Sequence, residues 1–184
     1  MKIVILGGTG LIGKALKENF KLNHEVECKS REAFISFETL LTAVQNCDLV
    51  IQLSGANISK RWSTSYKKEI WSSRVDATNL LASVIHSMPD KPKIICASAV
   101  GFYPESDCEH PLNETNNVPG SDFLAELSVA WETAAKSISK QIEDNCRNHW
   151  TIVAISIFVP IFTLPLRRRK IRNQHPKCHA WPIR

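Results

Sequence analysis

Residues 2–16 read KIVILGGTGLIGKAL, an apolar run that passes directly into three evenly spaced glycines, Gly7, Gly10 and Gly13. Ile3 to Leu6 shows no polar alternation, as expected of a strand covered on both faces. Leu11, Ile12, Ala15, Leu16 and Phe20 then recur at helical spacing. Glycines here let the chain turn sharply out of the strand, bring backbone close to a pyrophosphate, and pack the helix tightly on the sheet. The helix start offers unpaired N–H groups and the positive end of its dipole to an anion. In this strand–turn–helix setting the pattern is a dinucleotide-binding fingerprint, and a tight turn without a ligand is the alternative. The candidate contacts are Gly7, Thr9, Gly10, Leu11, Ile12 and Gly13.

The rest of the chain repeats the alternation. Strands are expected at His24–Cys28, Ala33–Phe37, Asp48–Leu53, Lys91–Ser98 and Trp150–Ser156, and helices at Glu38–Gln45, Ser63–Ser87 and from Ser121 onward. Ser63 is placed to cap the long helix. Strands alternating with helices predict an α/β domain, a doubly wound parallel sheet of about six strands with right-handed crossovers. A length of 184 residues suits one such domain, 1–156, followed by an irregular basic tail, 157–184.

The residues after the second strand choose the dinucleotide. A carboxylate about 20 residues past the turn binds the ribose hydroxyls of NAD. Here the chain reads CKSRE, so Ser30 and Arg31 come first and Glu32 follows. A hydroxyl and a guanidinium suit a 2′-phosphate, which a carboxylate repels, so NADP(H) is favoured over NAD(H). A solvated loop position for Arg31 is the plainer reading.

The net charge of +5 argues little for nucleic acid, because much of the excess sits in Arg167, Arg168, Arg169, Lys170, Arg172, Lys177 and Arg184. The six cysteines form no C-x-x-C pair, so neither a zinc site nor a redox pair is indicated. The longest apolar stretch, Ile152 to Leu166, is interrupted by Pro160 and Pro165 and is shorter than the roughly 20 residues of a membrane span. With no leader ahead of the first strand, the expectation is a cytoplasmic protein.

Several motifs in order resemble the extended and atypical short-chain dehydrogenase/reductase superfamily, and within it the NAD-dependent epimerase/dehydratase branch. They are GGTGLIG at the turn, LSGANI from Leu53, Arg61-Trp62, SSRVDATNLL from Ser72, and SAVGFY from Ser98. The resemblance runs from Met1 to about Ser156 and implies a Rossmann-like fold. It implies that Leu53, Ser54 and Gly55 line the cofactor, and that Arg74 stands near the nicotinamide side, where many relatives carry asparagine. It implies that Ser98 polarises the substrate and that Arg61-Trp62 form part of a pocket rim. Structural readings stay open for Ser98 as a strand end, Trp62 as a helix-entry aromatic and Arg74 as a surface residue.

The superfamily's chemistry uses Tyr-x-x-x-Lys on the helix after the long loop, where one turn puts both on one face. That helix reads SDFLAELSVAWETAAKS, with no tyrosine, and with Lys136 beyond Trp131. Tyr103, after the SAVGF motif, is the remaining candidate, without a lysine placed to tune it. Past Ser156 the expected Arg-Thr-Gly continuation and substrate lobe give way to proline and basic residues, which reads as a truncated or frameshifted product, with a disordered tail as the alternative. Cofactor binding with impaired or no turnover is the expected function. A non-catalytic NADP(H)-sensing module and a non-functional gene product are the alternatives. The substrate is an unknown small molecule, and the Ser63–Ser87 helix is a candidate homodimer surface.

Overall fold

In the computed structural model, which describes residues 1–106, 112, 115–140 and 151–153, strand and helix alternate along the chain. Five strands, β1 (Lys2–Leu6), β2 (Glu25–Lys29), β3 (Leu49–Gln52), β4 (Lys93–Ala97) and β5 (Thr151–Val153), form one sheet in the order β2-β1-β3-β4-β5. Every pairing is parallel, with Ile3 opposite both Val26 and Leu49, and Val50 opposite Ile94. The helices are α1 (Leu11–Phe20), α2 (Phe37–Val44), α3 (Thr64–Trp71), α4 (Ala77–Ser87) and α5 (Phe123–Lys140).

The sheet is covered on both faces, as the apolar run of β1 requires. Val4, Leu6, Val50, Ile94 and Cys96 share one core with Leu40 and Val44 of α2, Leu81 and Ile85 of α4, and Ile138 of α5. Ile3, Ile5 and Ile51 point the other way, against Leu16 and Phe20 of α1. A third cluster, Ile70, Val75, Ala97, Leu127 and Trp131, closes the carboxyl end between α3 and α5. Fully burying side chains of this size stabilises by about 1.5–3 kcal/mol each. This is a Rossmann-like, doubly wound α/β fold, with strand order reversing between β1 and β3, where such sheets bind ligands.

Two expectations are corrected. Ala33–Phe37 is not a strand: Arg31–Phe34 form a 3-10 turn and Phe37 opens α2. Ser36 favours the helix locally, since its hydroxyl accepts the Thr39 amide at 3.1 Å and caps α2. The described sheet therefore has five strands where about six were expected. The long helix over Ser63–Ser87 is present, but a π-helical turn at Ser72–Asp76 separates α3 from α4. Ser63 caps it as expected, accepting the Tyr66 amide at 3.1 Å. The tail at 157–184 and the boundary at Ser156 lie outside the described residues. Among the described residues no helix is long and apolar enough to cross a membrane.

Candidate functional site at the carboxyl end of the sheet

The glycine turn sits at the β1/β3 switch point and is held from two sides. Gly7 donates its amide to the Lys29 carbonyl at 2.9 Å, tying the turn to the end of β2. Its φ is +83°, and a Cβ there would lie 2.7 Å from the Ser54 nitrogen, so the chain after β3 lies directly on this backbone. A Cβ at Gly13 would meet the Gly8 Cα at 2.5 Å, which is how closely α1 approaches the turn. Both cradles exclude any side chain.

Gly10 is the N-cap of α1 and supplies no side-chain acceptor. Its carbonyl takes the Lys14 amide at 3.0 Å, while the amides of Leu11, Ile12 and Gly13 have no partner among the described residues. Three open donors at a helix start form an anion cradle. The buried Ser54 hydroxyl beside it also has no partner, nor has either polar atom of the Gln52 amide, which is fully buried at the end of β3. A dinucleotide phosphate fits this donor set. Thr9 and Leu11 are exposed at the mouth of the turn, and Ile12 is half-buried.

The end of β2 lies beside the turn. Ser30 stands at the N-cap position of the 3-10 turn without a side-chain capping bond, and Arg31, its first residue, is exposed. Lys29 is instead engaged by Glu27 at 2.7 Å, and Glu27 also holds Lys2 at 2.9 Å. Hydrogen bonds from Lys29 and then Lys2 hold the Glu27 carboxyl down at about 2.

The chain after β3 is gripped by the π-helical turn. Ser73 Oγ accepts the Ala56 amide at 2.9 Å, and Arg74 Nη2 donates to the Ala56 carbonyl at 3.1 Å. Arg74 Nη1 reaches the Ile70 carbonyl at 3.3 Å. The guanidinium lies against Gly55, where a Cβ would come 2.8 Å from Cζ, and 5.6 Å from the Trp131 ring centroid. Burial holds the Arg74 guanidinium below its ordinary value. A mid-helix π turn that frees side chains for such contacts is a frequent feature of functional sites.

Ser98, just past β4, is buried and donates to Glu132 Oε1 of α5 at 2.6 Å. Lys136, one turn further, approaches Glu132 Oε2 at 3.5 Å. Trp131, next to Glu132, donates its indole N–H to the buried Thr78 hydroxyl at 3.1 Å. Tyr103 ends a 3-10 turn, edge-on to Phe102 with ring centroids 5.4 Å apart. Its hydroxyl makes no hydrogen bond among the described residues, so Ser98 and Tyr103 are not joined. The described part of α5 carries no tyrosine, so the helix lacks the Tyr-x-x-x-Lys pair in this structure too.

The structure thus gathers Gly7, Gly13, Leu53 and Ser54 at one switch point and joins Gly55 to Arg74. The sequence reading missed Ser73, Glu132 and Gln52. Ser73 was adjacent to a selected residue, but Glu132 lies 34 positions from Ser98, and nothing in the sequence pairs them.

Known proteins resemble this chain in sequence and in fold. The profile of the NAD dependent epimerase/dehydratase family matches residues 3–141. An epimerase family protein of Staphylococcus haemolyticus is 32% identical over 149 residues, covering 73% of this chain and 49% of its own length. The human epimerase family protein SDR39U1 is 33% identical over 148 residues, with 74% of this chain and 49% of the human protein covered. The crystal structure of human SDR39U1 (isoform 2) with NADPH superposes with a TM-score of 0.64 at 33% identity, over 73% of this chain and 48% of that one. UDP-glucuronic acid 4-epimerase from Bacillus cereus, solved with UDP-glucuronic acid and NAD, has a TM-score of 0.63 at 15% identity, covering 78% and 54%, a likeness of fold alone. The chain spans about half the length of the relatives it matches. It belongs to the NAD dependent epimerase/dehydratase family.

Proposed function

We propose that this chain binds a nicotinamide dinucleotide across the β1/β3 switch point and prefers the 2′-phosphorylated form, NADP(H). The observation that carries the reading is the set of open Leu11, Ile12 and Gly13 amides beneath the Gly7 wedge. These amides would take the pyrophosphate, with Ser54 and Gly55 beside it and Arg74 holding that segment in place. Ser30 and Arg31, with the open end of the 3-10 turn, would face the 2′-phosphate; Lys29 is already engaged by Glu27. The NADPH in the structure of human SDR39U1 supports the phosphorylated form.

The test is a pair of titrations with NADPH and NADH, followed by nucleotide fluorescence and thermal stability. NADPH should bind more tightly, and Arg31→Asp should reverse the order. Tighter NADH binding by the unaltered chain, or no binding of either, overturns the reading.

The described part of α5 favours a second reading, a module that holds NADP(H) without turning over substrate, because it offers no tyrosine as acid or base. A nicotinamide dinucleotide, when bound, would supply hydride chemistry; this chain would place beside it the Ser98 hydroxyl, which donates to Glu132. Detectable reduction of any carbonyl or sugar nucleotide in a broad panel excludes the non-catalytic reading.

A further inference from the structure

We propose that Arg74 makes the site selective for the redox state of its ligand, retaining the dinucleotide with the reduced, uncharged nicotinamide ring over the one with the oxidised, cationic ring. The inference rests on the dinucleotide reading above and adds to it which form the chain holds.

Position comes first. A continuous line of backbone joins the phosphate cradle to Arg74. A Cβ on Gly7 would lie 2.7 Å from the Ser54 nitrogen, and one on Gly55 would lie 2.8 Å from the Arg74 Cζ. The guanidinium thus sits against the chain after β3, on the side of the switch point away from β2. A dinucleotide crosses such a switch point with one nucleotide over each half of the sheet, and its adenine-side ribose meets the end of the second strand. With the pyrophosphate on the α1 amides, the nicotinamide half falls on the side where Arg74 stands.

Charge comes second. Arg74 is half-buried. Its surroundings are the Ala56 carbonyl at 3.1 Å, the Ile70 carbonyl at 3.3 Å and the Trp131 ring at 5.6 Å. Dipoles and a ring face stabilise a cation without cancelling its charge. The carboxylates on the elements around it are Glu69 of α3, Asp76 of the π-helical turn, Asp122 just before α5, and Glu126 and Glu132 of α5. Four of these are exposed, and the fifth, Glu132, is engaged by Ser98 and Lys136. Among the described residues none of the five pairs with Arg74. Burial lowers the guanidinium from its ordinary value, and the attraction that opposes this comes from the Tyr66 phenol, not from a carboxylate. Lys60, Arg61 and Lys67 nearby have the same sign, but they are exposed and screened by water and salt. A cation held partly out of water is screened far less.

The ligand's own charge comes third. Oxidation gives the nicotinamide ring a positive charge and leaves both phosphate groups as they were. The phosphates therefore attract Arg74 equally in the two forms, and the ring alone distinguishes them. A fixed cation on the ring's side of the site favours the reduced form by its differential interaction with the two. A tenfold preference raises the midpoint potential of the bound couple by about 30 mV.

The experiment is calorimetric titration of NADPH and of NADP+ into the full chain and into Arg74→Met, Arg74→Gln and Arg74→Lys. A third titrant, 2′-phospho-ADP-ribose, carries the same phosphates without the ring and reports any loosening of the segment after β3. Arg74→Gln keeps a donor for the Ala56 carbonyl and serves where Arg74→Met unfolds. The unaltered chain should bind NADPH at least about tenfold more tightly than NADP+. The neutral variants should bring the two affinities within about threefold of each other, while Arg74→Lys keeps the preference. A purely structural role weakens all the titrants together and leaves the NADPH-to-NADP+ ratio unchanged, and that result overturns the inference. Equal binding of the two forms by the unaltered chain also overturns it, yet leaves the dinucleotide reading standing. Binding of none of the titrants overturns both.

Discussion

Arg74 and Ala56 are joined across 18 positions of chain, the guanidinium donating to the Ala56 carbonyl at 3.1 Å while neighbouring Ser73 accepts the Ala56 amide. Both backbone groups of one residue are thus satisfied by two consecutive side chains of the π-helical turn. The segment after β3 has no strand partner of its own there, so its position beside the glycine turn depends on that grip.

Replacing the guanidinium should loosen this segment. Arg74→Met should cost about 1–3 kcal/mol in urea denaturation, the usual range for removing a charged donor from a partly buried acceptor. Arg74→Lys should recover only part of it, because an ammonium cannot serve the Ala56 and Ile70 carbonyls as a planar fork does. Equal stability in Arg74→Met and the unaltered chain refutes the role.

Gly7 and Gly10 should respond differently to alanine. At Gly7 the backbone is left-handed and the new Cβ would strike the Ser54 nitrogen at 2.7 Å. The strain alone costs about 1–3 kcal/mol, and dinucleotide binding should be lost with it. At Gly10 the nearest atom is the Gly7 carbonyl oxygen at 3.3 Å and φ is −74°, so a small shift accommodates the methyl. Thermal unfolding and an NADPH titration on both variants check the order.

The Ser98–Glu132 hydrogen bond should appear as a coupling. Ser98→Ala and Glu132→Gln should each destabilise by about 1–2 kcal/mol. Their double mutant should lose less than the sum, with an interaction of about 1 kcal/mol. Strict additivity means the 2.6 Å contact contributes nothing.

Glu27 predicts a pH dependence with a definite sign. Its carboxyl is held at about 2 when folded, against an ordinary value of 4.5, so the unfolded chain binds the proton more readily. The stabilisation is present above about pH 4.5 and is lost as pH falls towards 2. With Glu27 and its lysines about a third exposed, the effect should be at most about 1 kcal/mol. Chemical denaturation between these pH values, compared with Glu27→Gln, measures it; parallel curves reject it.

Cys96 should resist alkylation in the folded chain. Burial between β3 and α4 pushes its thiol up to about 12, so little thiolate forms at neutral pH. Peptide mapping after timed iodoacetamide exposure should find half-buried Cys28 modified before Cys96, and NADPH should slow it because Cys28 lies directly against Gly8.

Much of the fold was legible because its signals are local. The apolar run of β1, the helical spacing of α1 and the cap at Ser63 act within a few residues. Where a local signal was misjudged, at Ala33–Phe37, the error was also local: apolar content suggested a strand, but the Ser36 hydroxyl favours helix.

By itself the sequence determined the strand–glycine–helix entry, the parallel α/β order, the Ser30-Arg31 pair after β2 and the absence of Tyr-x-x-x-Lys from the helix around Trp131. These depend on residue type and short spacing. Only the tertiary structure decided that Ser73 and Arg74 hold Ala56, that Ser98 gives its hydroxyl to Glu132, and that Lys67 lies over Phe123. Those contacts join residues 17 to 56 positions apart, and which helix face meets which strand end is set by packing around the sheet, not by any local pattern.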